Sequence, residues 1–133
     1  LKACKKKKKE ILVGNLNSLR TYADVRDAVS AYYLLMISKK TKCGDVFNIG
    51  GKTSCTVGKT LNYLIKISSL KNIKIKIDKS RIRPIDADLQ IPNTKKFNNI
   101  IKWKKKYSYE KTMLDLLNYW RNEIKYSQNH LIR

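Results

Sequence analysis

The sequence predicts an α/β domain, because short apolar segments typical of strands alternate with longer segments of helical periodicity. Residues 73–77 alternate isoleucine with lysine, the two-residue period of a strand with one face exposed to water. Residues 25–36 and 109–124 carry apolar side chains three and four positions apart, the period of a helix with one buried face. With 133 residues, 42% of them apolar, the chain is one domain that is large enough for a core.

The first half of the chain is predicted to hold two strands and one complete helix. Residues 1–10 are interpreted as the basic end of a truncated helix, residues 11–13 as a short apolar strand and residues 14–18 as a polar loop. Asp24 is the predicted N-cap of a helix that continues to about Ser38, and its expected buried stripe is Val25, Ala28, Val29, Tyr32, Leu35 and Met36. A second strand is predicted at residues 46–49. Both strands are apolar on both faces, which predicts a sheet larger than this chain supplies.

The second half is predicted to hold one strand and three helices. Thr56 is the expected N-cap of a helix to about Ser68, and the strand at residues 73–77 follows. Residues 78–92 are interpreted as irregular and residues 93–100 as a short helix. The last helix is expected to begin near Ser108 and to continue into the 120s, with residues 122–133 as a frayed tail. Its stripe is assigned to the core and consists of Tyr109, Met113, Leu116, Leu117, Trp120 and Ile124.

The formal net charge of +20 makes a basic nucleic-acid-binding module one interpretation of the chain. The lysines are scattered over many elements, however, and arginine, the better reader of bases and phosphates, occurs only six times. The run Lys5–Lys9 is the one block of like charge, and such blocks are usually solvated. A general drift of the amino-acid composition towards lysine therefore explains the net charge better than a dedicated nucleic-acid-binding surface does. We expect no specific nucleic-acid partner.

Cysteine and histidine usage argues against a metal site. Cys4, Cys43 and Cys55 are widely spaced, and the single histidine is His130 near the end of the chain. An odd number of cysteines without a secretion signal predicts a reducing cytoplasm. No apolar run approaches the ~18 residues of a membrane span, so we expect no membrane partner.

Two short arginine-containing segments are candidate phosphate-binding elements. Arg20 follows the turn-prone residues 14–19, and Arg83 lies in the extended segment 81–86. The planar guanidinium of arginine donates two parallel N–H bonds to one anion and stays charged at any working pH. Two such groups from separate loops would clamp a diphosphate.

Five segments give these arginines a family context: VGNL at residues 13–16, RTYADVRDA at 20–28, GDVFNIGG at 44–51, RIRP with LQIPN at 81–84 and 89–93, and LLNYWR at 116–121. Their order resembles the C-terminal portion of the GDP-mannose 4,6-dehydratases, which belong to the extended short-chain dehydrogenase/reductase family. The resemblance covers about residues 11–121. It implies that residues 1–133 are the GDP-sugar-binding portion of an NADP-dependent lyase, and that the chain lacks most of the NADP-binding Rossmann domain.

The resemblance also implies a set of substrate-binding residues. The arginines matching Arg20 and Arg83 approach the GDP phosphates in the family, and Asp86 lies where a ribose hydroxyl is held. The full implied set is Arg20, Arg83, Asp86, Asn15, Gly14 and Tyr22. Two alternatives from the residues themselves stay open: Asp86 pairs with Arg81 or Arg83, and Tyr22 belongs to the core. Arg26 and Asp27 are interpreted as ordinary ion-pairing residues on a helix surface.

No catalytic, cofactor-binding or metal-binding residue is expected in this chain, because the family places its glycine-rich turn and its catalytic tyrosine and lysine upstream. Tyr107 and Lys111 have the catalytic spacing but lie where the family begins its last helix. We expect NADP to bind the absent Rossmann domain, the chain alone to be inactive, and the protein to be a homo-oligomer. The alternatives are a GDP-4-keto-6-deoxymannose reductase, or another nucleotide-sugar epimerase or dehydratase.

Overall fold

The computed structural model describes residues 10–70, 72–83 and 86–129, which form an α/β arrangement. The strands are β1 (Glu10–Val13), β2 (Leu19–Tyr22), β3 (Thr53–Thr56), β4 (Lys74–Ile77) and β5 (Leu89–Gln90). The helices are α1 (Val25–Ile37), α2 (Val57–Ile67), α3 (Lys95–Ile100) and α4 (Tyr109–Asn129), with a 3-10 helix at Lys79–Arg81. The predicted fold class is confirmed.

Several expectations from the sequence fall outside the described residues or differ at the ends of elements. The Lys5–Lys9 run, Cys4, Pro84 and His130 lie outside the described residues. Glu10, assigned to the end of a basic helix, instead begins β1. Helix α4 extends to Asn129, beyond residue 122, where we expected a frayed tail to start.

The described strands form two small sheets. β1 pairs in parallel with β4, from Glu10 opposite Lys74 to Val13 opposite Ile77. In the second sheet the order is β3–β2–β5, with β2 antiparallel to β3 and parallel to β5. This second sheet was not predicted, because its strands are polar or very short and carry no apolar alternation. Its β2–β5 pairing brings residues 18–20 beside residues 86–90.

Three of the four helices, α1, α2 and α4, begin beside side chains that accept hydrogen bonds from their first turn. The Asp24 side chain accepts a hydrogen bond from the backbone N–H of Arg26 at 2.9 Å, and Thr56 Oγ1 accepts from the N–H of Lys59 at 3.2 Å. Ser108 Oγ accepts from the N–H of Lys111 at 3.1 Å at the start of α4. These side chains satisfy backbone donors that a helix start leaves unpaired.

The main core lies between α1 and α3. Phe97 is 1% exposed and packs edge-on against the rings of Phe47 and Trp103, at centroid distances of 6.4 and 5.6 Å. Ala31 and Ile101 complete the buried cluster. Residues 46–49, predicted as a strand, form no ladder in the structure. They still contribute Phe47 and Ile49 to this core, whereas Val46 is 78% exposed.

The predicted buried stripe of α1 is wrong for four of its six residues, whereas Leu35 packs against the core and Ala28 is half-buried. Its members Val25, Val29, Tyr32 and Met36 are each more than half exposed and form one face of the helix, here called the apolar face of α1. The opposite side, with Ala31 and partners such as Leu34, packs on Phe97. Because α1 is apolar around most of its circumference, its periodicity did not distinguish the two faces.

The stripe of α4 is buried only in part. Met113 is buried, but Leu116 and Trp120 are more than a third exposed, although we assigned all of them to the core. They line an open groove of about 280 Å³ between α4 and α2, together with Leu61 and Leu64. The groove explains their exposure, since the two helices do not close over it.

Two acidic residues at the start of α1 tie it to the C-terminal segment. Asp27 is buried, not on the surface as expected, and its carboxylate accepts the backbone N–H groups of Lys106 and Tyr107 at 3.0 and 3.2 Å. Arg26 does form ion pairs, at 2.7 Å with Asp24 and 2.8 Å with Asp115. The chain between α3 and α4 is thereby fixed against α1.

We expect the stability of the protein to fall in acid partly through Asp24. Its side chain is 3% exposed and accepts hydrogen bonds from the Arg26 guanidinium and from Thr112 Oγ1. The Arg26 hydrogen bonds hold the pKa of Asp24 well below its usual range, so its contribution is complete above the unfolded-state pKa of about 3.9 and is lost as the pH falls below it. In urea unfolding, Asp24→Asn should lower the free energy of unfolding at pH 7, and this difference from the wild type should shrink towards pH 2. A difference that does not change with pH would contradict this assignment.

Candidate functional site

A cluster of polar side chains gathers around Asp86, here called the Asp86 cluster: Asn15, Ser18, Arg20 and Asp86. Asp86 Oδ1 accepts from Arg20 Nη2 at 2.9 Å. Asp86 Oδ2 accepts from Ser18 Oγ at 2.9 Å and from Asn15 Nδ2 at 3.2 Å. The structure thus brings together three of the residues nominated from the sequence and adds Ser18.

The sheet of β3, β2 and β5 holds the two halves of this cluster together. The backbone N–H of Leu19 donates to the carbonyl of Asp88 at 2.8 Å, beside the β2–β5 pairing. On the other side, the carbonyl of Ser18 accepts from the N–H of Val57 at 3.1 Å, at the start of α2. The Asn15 side chain accepts from the N–H of Asn17 at 2.9 Å, a turn that shapes the loop after β1.

Gly14 allows a second segment to approach. A Cβ at Gly14 would lie 2.5 Å from the carbonyl oxygen of Arg81, so a larger residue would push this segment away. The N–H of Asp78 donates to the Val13 carbonyl at 2.8 Å, and the Asp78 carboxylate binds the N–H of Ser80 and the Nε of Arg81. The 3-10 turn that precedes Arg83 is therefore anchored to the end of β1.

The positive charges near Asp86 outnumber its single negative charge. The Ser18 hydroxyl holds the pKa of Asp86 below its usual range, and the charge of Arg20, the Asn15 amide and the charge of Arg83 act in the same direction. Asp86 is therefore ionised at neutral pH. The charges of Arg20 and Asp86 cancel, so Arg83 leaves one positive charge beside the cluster, which suits an anionic ligand.

Arg20 is held firmly yet retains free donors. Its Nη1 donates to the carbonyls of Leu19 at 3.0 Å and Ala87 at 2.6 Å, and its Nη2 donates to Asp86. Arginine has five N–H donors, so Nε–H and one Nη2–H have no acceptor among the described residues. The side chain is 21% exposed, which leaves it accessible to a ligand.

Arg83 is the more exposed of the two nominated arginines, and no hydrogen bond or ion pair fixes it among the described residues. The expected alternative, in which Asp86 pairs with Arg81 or Arg83, is wrong: Asp86 pairs with Arg20, and Arg81 pairs with Asp78 at 3.1 Å. The pairing follows from the β2–β5 register, which the sequence did not predict.

Tyr22 lies apart from the Asp86 cluster. Its ring packs edge-on against Tyr109 at 5.7 Å, and it lines a pocket of about 240 Å³ together with Lys52, Lys105 and Tyr107. Burial and the neighbouring charge of Lys52 lower the pKa of Lys105. Tyr22 is thus a wall residue of a different pocket, shared with the start of α4.

Ser18 is the member of the cluster that sequence reasoning missed. It is 2% exposed, and its hydroxyl both accepts from Asn15 Nδ2 at 2.7 Å and donates to Asp86. Its place in the polar loop before β2 gave it the appearance of an ordinary turn residue. The signal that would have identified it is the register that places residue 18 beside residues 86–88.

The start of α2 does not fit the pyrophosphate of a dinucleotide. The strand that runs directly into a helix is β3, followed by α2, and a dinucleotide pyrophosphate would need the free N–H groups of that helix start. Those of Val57 and Gly58 instead donate to the carbonyls of Ser18 and Leu16, and that of Lys59 donates to Thr56 Oγ1. This helix start therefore offers no free donors to such a group.

Metal binding and membrane insertion find no support in the described part of the chain. Its His, Cys, Asp and Glu side chains form no group of three that could hold a metal ion. Within the same residues, no helix combines the length and the apolar character that crossing a membrane requires.

Comparison with known proteins gives one family match. A family model described as GDP-mannose 4,6 dehydratase matches residues 1–116.

Solved structures of similar fold include two epimerases that were solved with UDP sugars. The chain is similar to RMD from Pseudomonas aeruginosa, solved with NADPH, with a TM-score of 0.77 and 19% identity over 91% of this chain and 39% of RMD. It is also similar to UDP-glucuronic acid 4-epimerase from Bacillus cereus, solved with UDP-glucuronic acid and NAD, with a TM-score of 0.78 and 20% identity over 91% of this chain and 38% of the epimerase. For UDP-glucose 4-epimerase from Thermotoga maritima, solved with UDP-glucose, the TM-score is 0.72 and the identity 26%, over 86% of this chain and 35% of the epimerase. The chain spans less than two fifths of the length of these solved proteins.

Proposed function

The chain belongs to the GDP-mannose 4,6 dehydratase family, and from that premise we propose that it is the GDP-sugar-binding part of an NADP-dependent GDP-mannose 4,6-dehydratase. The dehydratase converts GDP-mannose to GDP-4-keto-6-deoxymannose. Its hydride chemistry is supplied by NADP bound to a part of the protein that this chain does not include. The residues described here bind and orient the nucleotide sugar.

The observation that carries the proposal is the pair of unsatisfied donors on Arg20, whose partner Asp86 is also affected by the charge of Arg83. A diphosphate offers several anionic oxygens, and arginine meets such oxygens with parallel N–H bonds. Arg20 is already oriented by three acceptors, so it loses little side-chain freedom on binding. Arg83 is solvent-exposed and would close on the ligand from the other segment.

The remaining nominated residues are proposed to act around this pair. Gly14 and Asn15 belong to the loop that precedes Arg20, and their proposed role is to contact the ligand beside it. Asp86 has its Oδ2 occupied by Ser18 and Asn15 and its Oδ1 by Arg20, so any ribose hydroxyl must use the second lone pair of Oδ1. Tyr22 would take part only where a ligand extends beyond the cluster.

Arg83→Ala should weaken GDP-mannose binding about tenfold, because a charged donor contributes about 1.5–3 kcal/mol when fully engaged and less when exposed. The measurement is isothermal titration calorimetry at two salt concentrations, and the wild type should bind less tightly at high salt. Arg121→Ala is the matched control, since Arg121 lies on α4 and bonds only Asn118 among the described residues. Equal affinities for Arg83→Ala and the control would remove Arg83 from the site.

The alternatives within the class differ in nucleotide or reaction. The solved epimerases bind UDP sugars, so competition by UDP-glucose against GDP-mannose discriminates a GDP-sugar site from a UDP-sugar site. Turnover of GDP-mannose by the complete protein separates the dehydratase from GDP-4-keto-6-deoxymannose reductase. The family match does not favour the alternative of a nucleic-acid-binding module, which the net charge of +20 suggests.

We also propose that the protein is a homo-oligomer, and we expect the chain on its own to self-associate. The apolar face of α1 leaves four large side chains in water, and apolar patches of this kind promote association. Met36→Lys should lower the apparent mass in light scattering. Tyr126→Lys is the control, because it adds the same charge at a side chain that is 65% exposed and lies on α4. A monomeric wild type at high concentration would contradict the expectation.

A further inference from the structure

The Asp86 cluster contains a directed chain of hydrogen bonds that ends on Arg20. Asn15 Nδ2 donates to Ser18 Oγ at 2.7 Å, Ser18 Oγ donates to Asp86 Oδ2 at 2.9 Å, and Arg20 Nη2 donates to Asp86 Oδ1 at 2.9 Å. Asp86 Oδ2 also accepts a longer hydrogen bond from Asn15 Nδ2 at 3.2 Å. The Ser18 hydroxyl therefore makes the shorter of the two contacts that hold Oδ2, and Oδ1 holds the guanidinium.

We propose that Ser18 is a positioning residue for anion binding, acting through Asp86 to hold Arg20 with its free donors towards the ligand. This inference rests on the proposed function, because it assigns Arg20 to the diphosphate. It differs from the role that family resemblance implies for Asp86, which concerns a ribose hydroxyl.

The burial and anchoring of Ser18 support this role. Ser18 is the most buried member of the cluster at 2% exposure, and its carbonyl is bound by the first N–H of α2. Its hydroxyl is therefore a fixed point that does not move with solvent-exposed side chains. A hydroxyl in this position sets where the carboxylate can sit, and the carboxylate sets the plane of the guanidinium.

The pH dependence of ligand binding distinguishes this positioning role of Ser18 from a purely structural role. The groups facing Asp86 are Arg20 from β2, Arg83 from the segment before it, and the uncharged Asn15 and Ser18 from the loop after β1. The Ser18 hydroxyl is the largest cause of the lowered pKa of Asp86. Removing that hydroxyl should raise the pKa of Asp86, so that protonation, and with it the loss of Arg20 orientation, begins at higher pH.

The test is the affinity for GDP-mannose as a function of pH between about 3.5 and 7, measured by calorimetry on the wild type and on Ser18→Ala. GDP-mannose is a suitable probe, since both of its phosphates are esterified and keep their charge over this range. Ser18→Ala should bind about fivefold more weakly at pH 7, the effect of one lost hydrogen bond. Its affinity should also begin to fall at a higher pH than that of the wild type.

Two further variants make the test specific. Ser54→Ala removes a serine of the same sheet that bonds Thr21, and should behave as the wild type. In an Asp86→Asn background, adding Ser18→Ala should cause no further loss of affinity, because the connection from Ser18 through the carboxylate to Arg20 is already broken.

Circular dichroism at each pH checks that the variants are folded. If Ser18→Ala fails to fold, Ser18→Cys carries the same expectation, because a thiol is a weak donor of similar size.

The possible results distinguish a failure of the role inferred for Ser18 from a failure of the proposed function. If the wild type binds and Arg20→Ala does not, but Ser18→Ala matches Ser54→Ala at every pH, Ser18 has no positioning role and the proposed function stands. An additive loss in the Asp86→Asn background would also overturn the inference, since Ser18 would then act by another route. If the wild type does not bind GDP-mannose, the proposed function fails and the inference fails with it.

Discussion

Replacing Phe97 by alanine is expected to lower the free energy of unfolding by about 3–5 kcal/mol, the usual cost of removing a buried phenylalanine. Phe97 is 1% exposed and contacts the rings of Phe47 and Trp103, so its removal leaves a cavity that both rings border. Trp103 is further held by its Nε1, which donates to Ser30 Oγ at 2.9 Å and hinders collapse into the space.

Urea unfolding followed by circular dichroism measures this loss. Val46→Ala is the control, because Val46 belongs to the same segment as Phe47 but is 78% exposed, and the change should stay within about 0.5 kcal/mol. A loss below about 1 kcal/mol for Phe97→Ala would mean that the α1–α3 cluster is not the principal core.

Replacing Arg20 by alanine is expected to weaken GDP-mannose binding by about 10- to 100-fold, because charged hydrogen bonds contribute about 1.5–3 kcal/mol. The change removes the two free donors and also the partner of Asp86, which then faces the ligand as an uncompensated negative charge. The repulsion adds to the loss of attraction, so the effect should exceed that of Arg83→Ala.

Arg20→Lys separates charge from geometry. Lysine keeps the positive charge but has three N–H donors where arginine has five, so it cannot keep the bonds to Leu19, Ala87 and Asp86 and also donate two to a phosphate. We expect an affinity between those of the wild type and Arg20→Ala, measured by calorimetry with urea unfolding as the folding check. Affinities equal to the wild type in both variants would place the diphosphate elsewhere.

Local signals in the sequence predicted those elements that local chemistry determines. Asp24 and Thr56 mark the starts of α1 and α2, and the alternation in residues 73–77 marks β4, because capping and periodicity act over a few residues. β2, β3 and β5 were missed because polar strands are specified by their pairing partners, which lie more than 30 residues away in the sequence.

The residue types of the candidate site could be predicted from the sequence, but the contacts between these residues could not. The arginines and Asp86 were identified from their segments, yet three arginines were available to Asp86 and only the β2–β5 register selects Arg20. The burial of Ser18 and the exposure of one face of α1 depend on the same tertiary arrangement. Neither the burial of Ser18 nor the exposure of that face of α1 can be read from a sequence pattern.

If Arg20 and Arg83 bind the diphosphate of a nucleotide sugar beside Asp86, a titration of the ¹⁵N-labelled protein with GDP-mannose should show it in the backbone amide and arginine Nε signals. We expect the largest shifts at residues 14–20, at Arg83 and at residues 86–88, with the Arg20 Nε–H shifting in the direction of a new hydrogen bond. Shifts confined to the pocket of Tyr22 and Lys105, or spread evenly over the lysine-bearing surface, would contradict it.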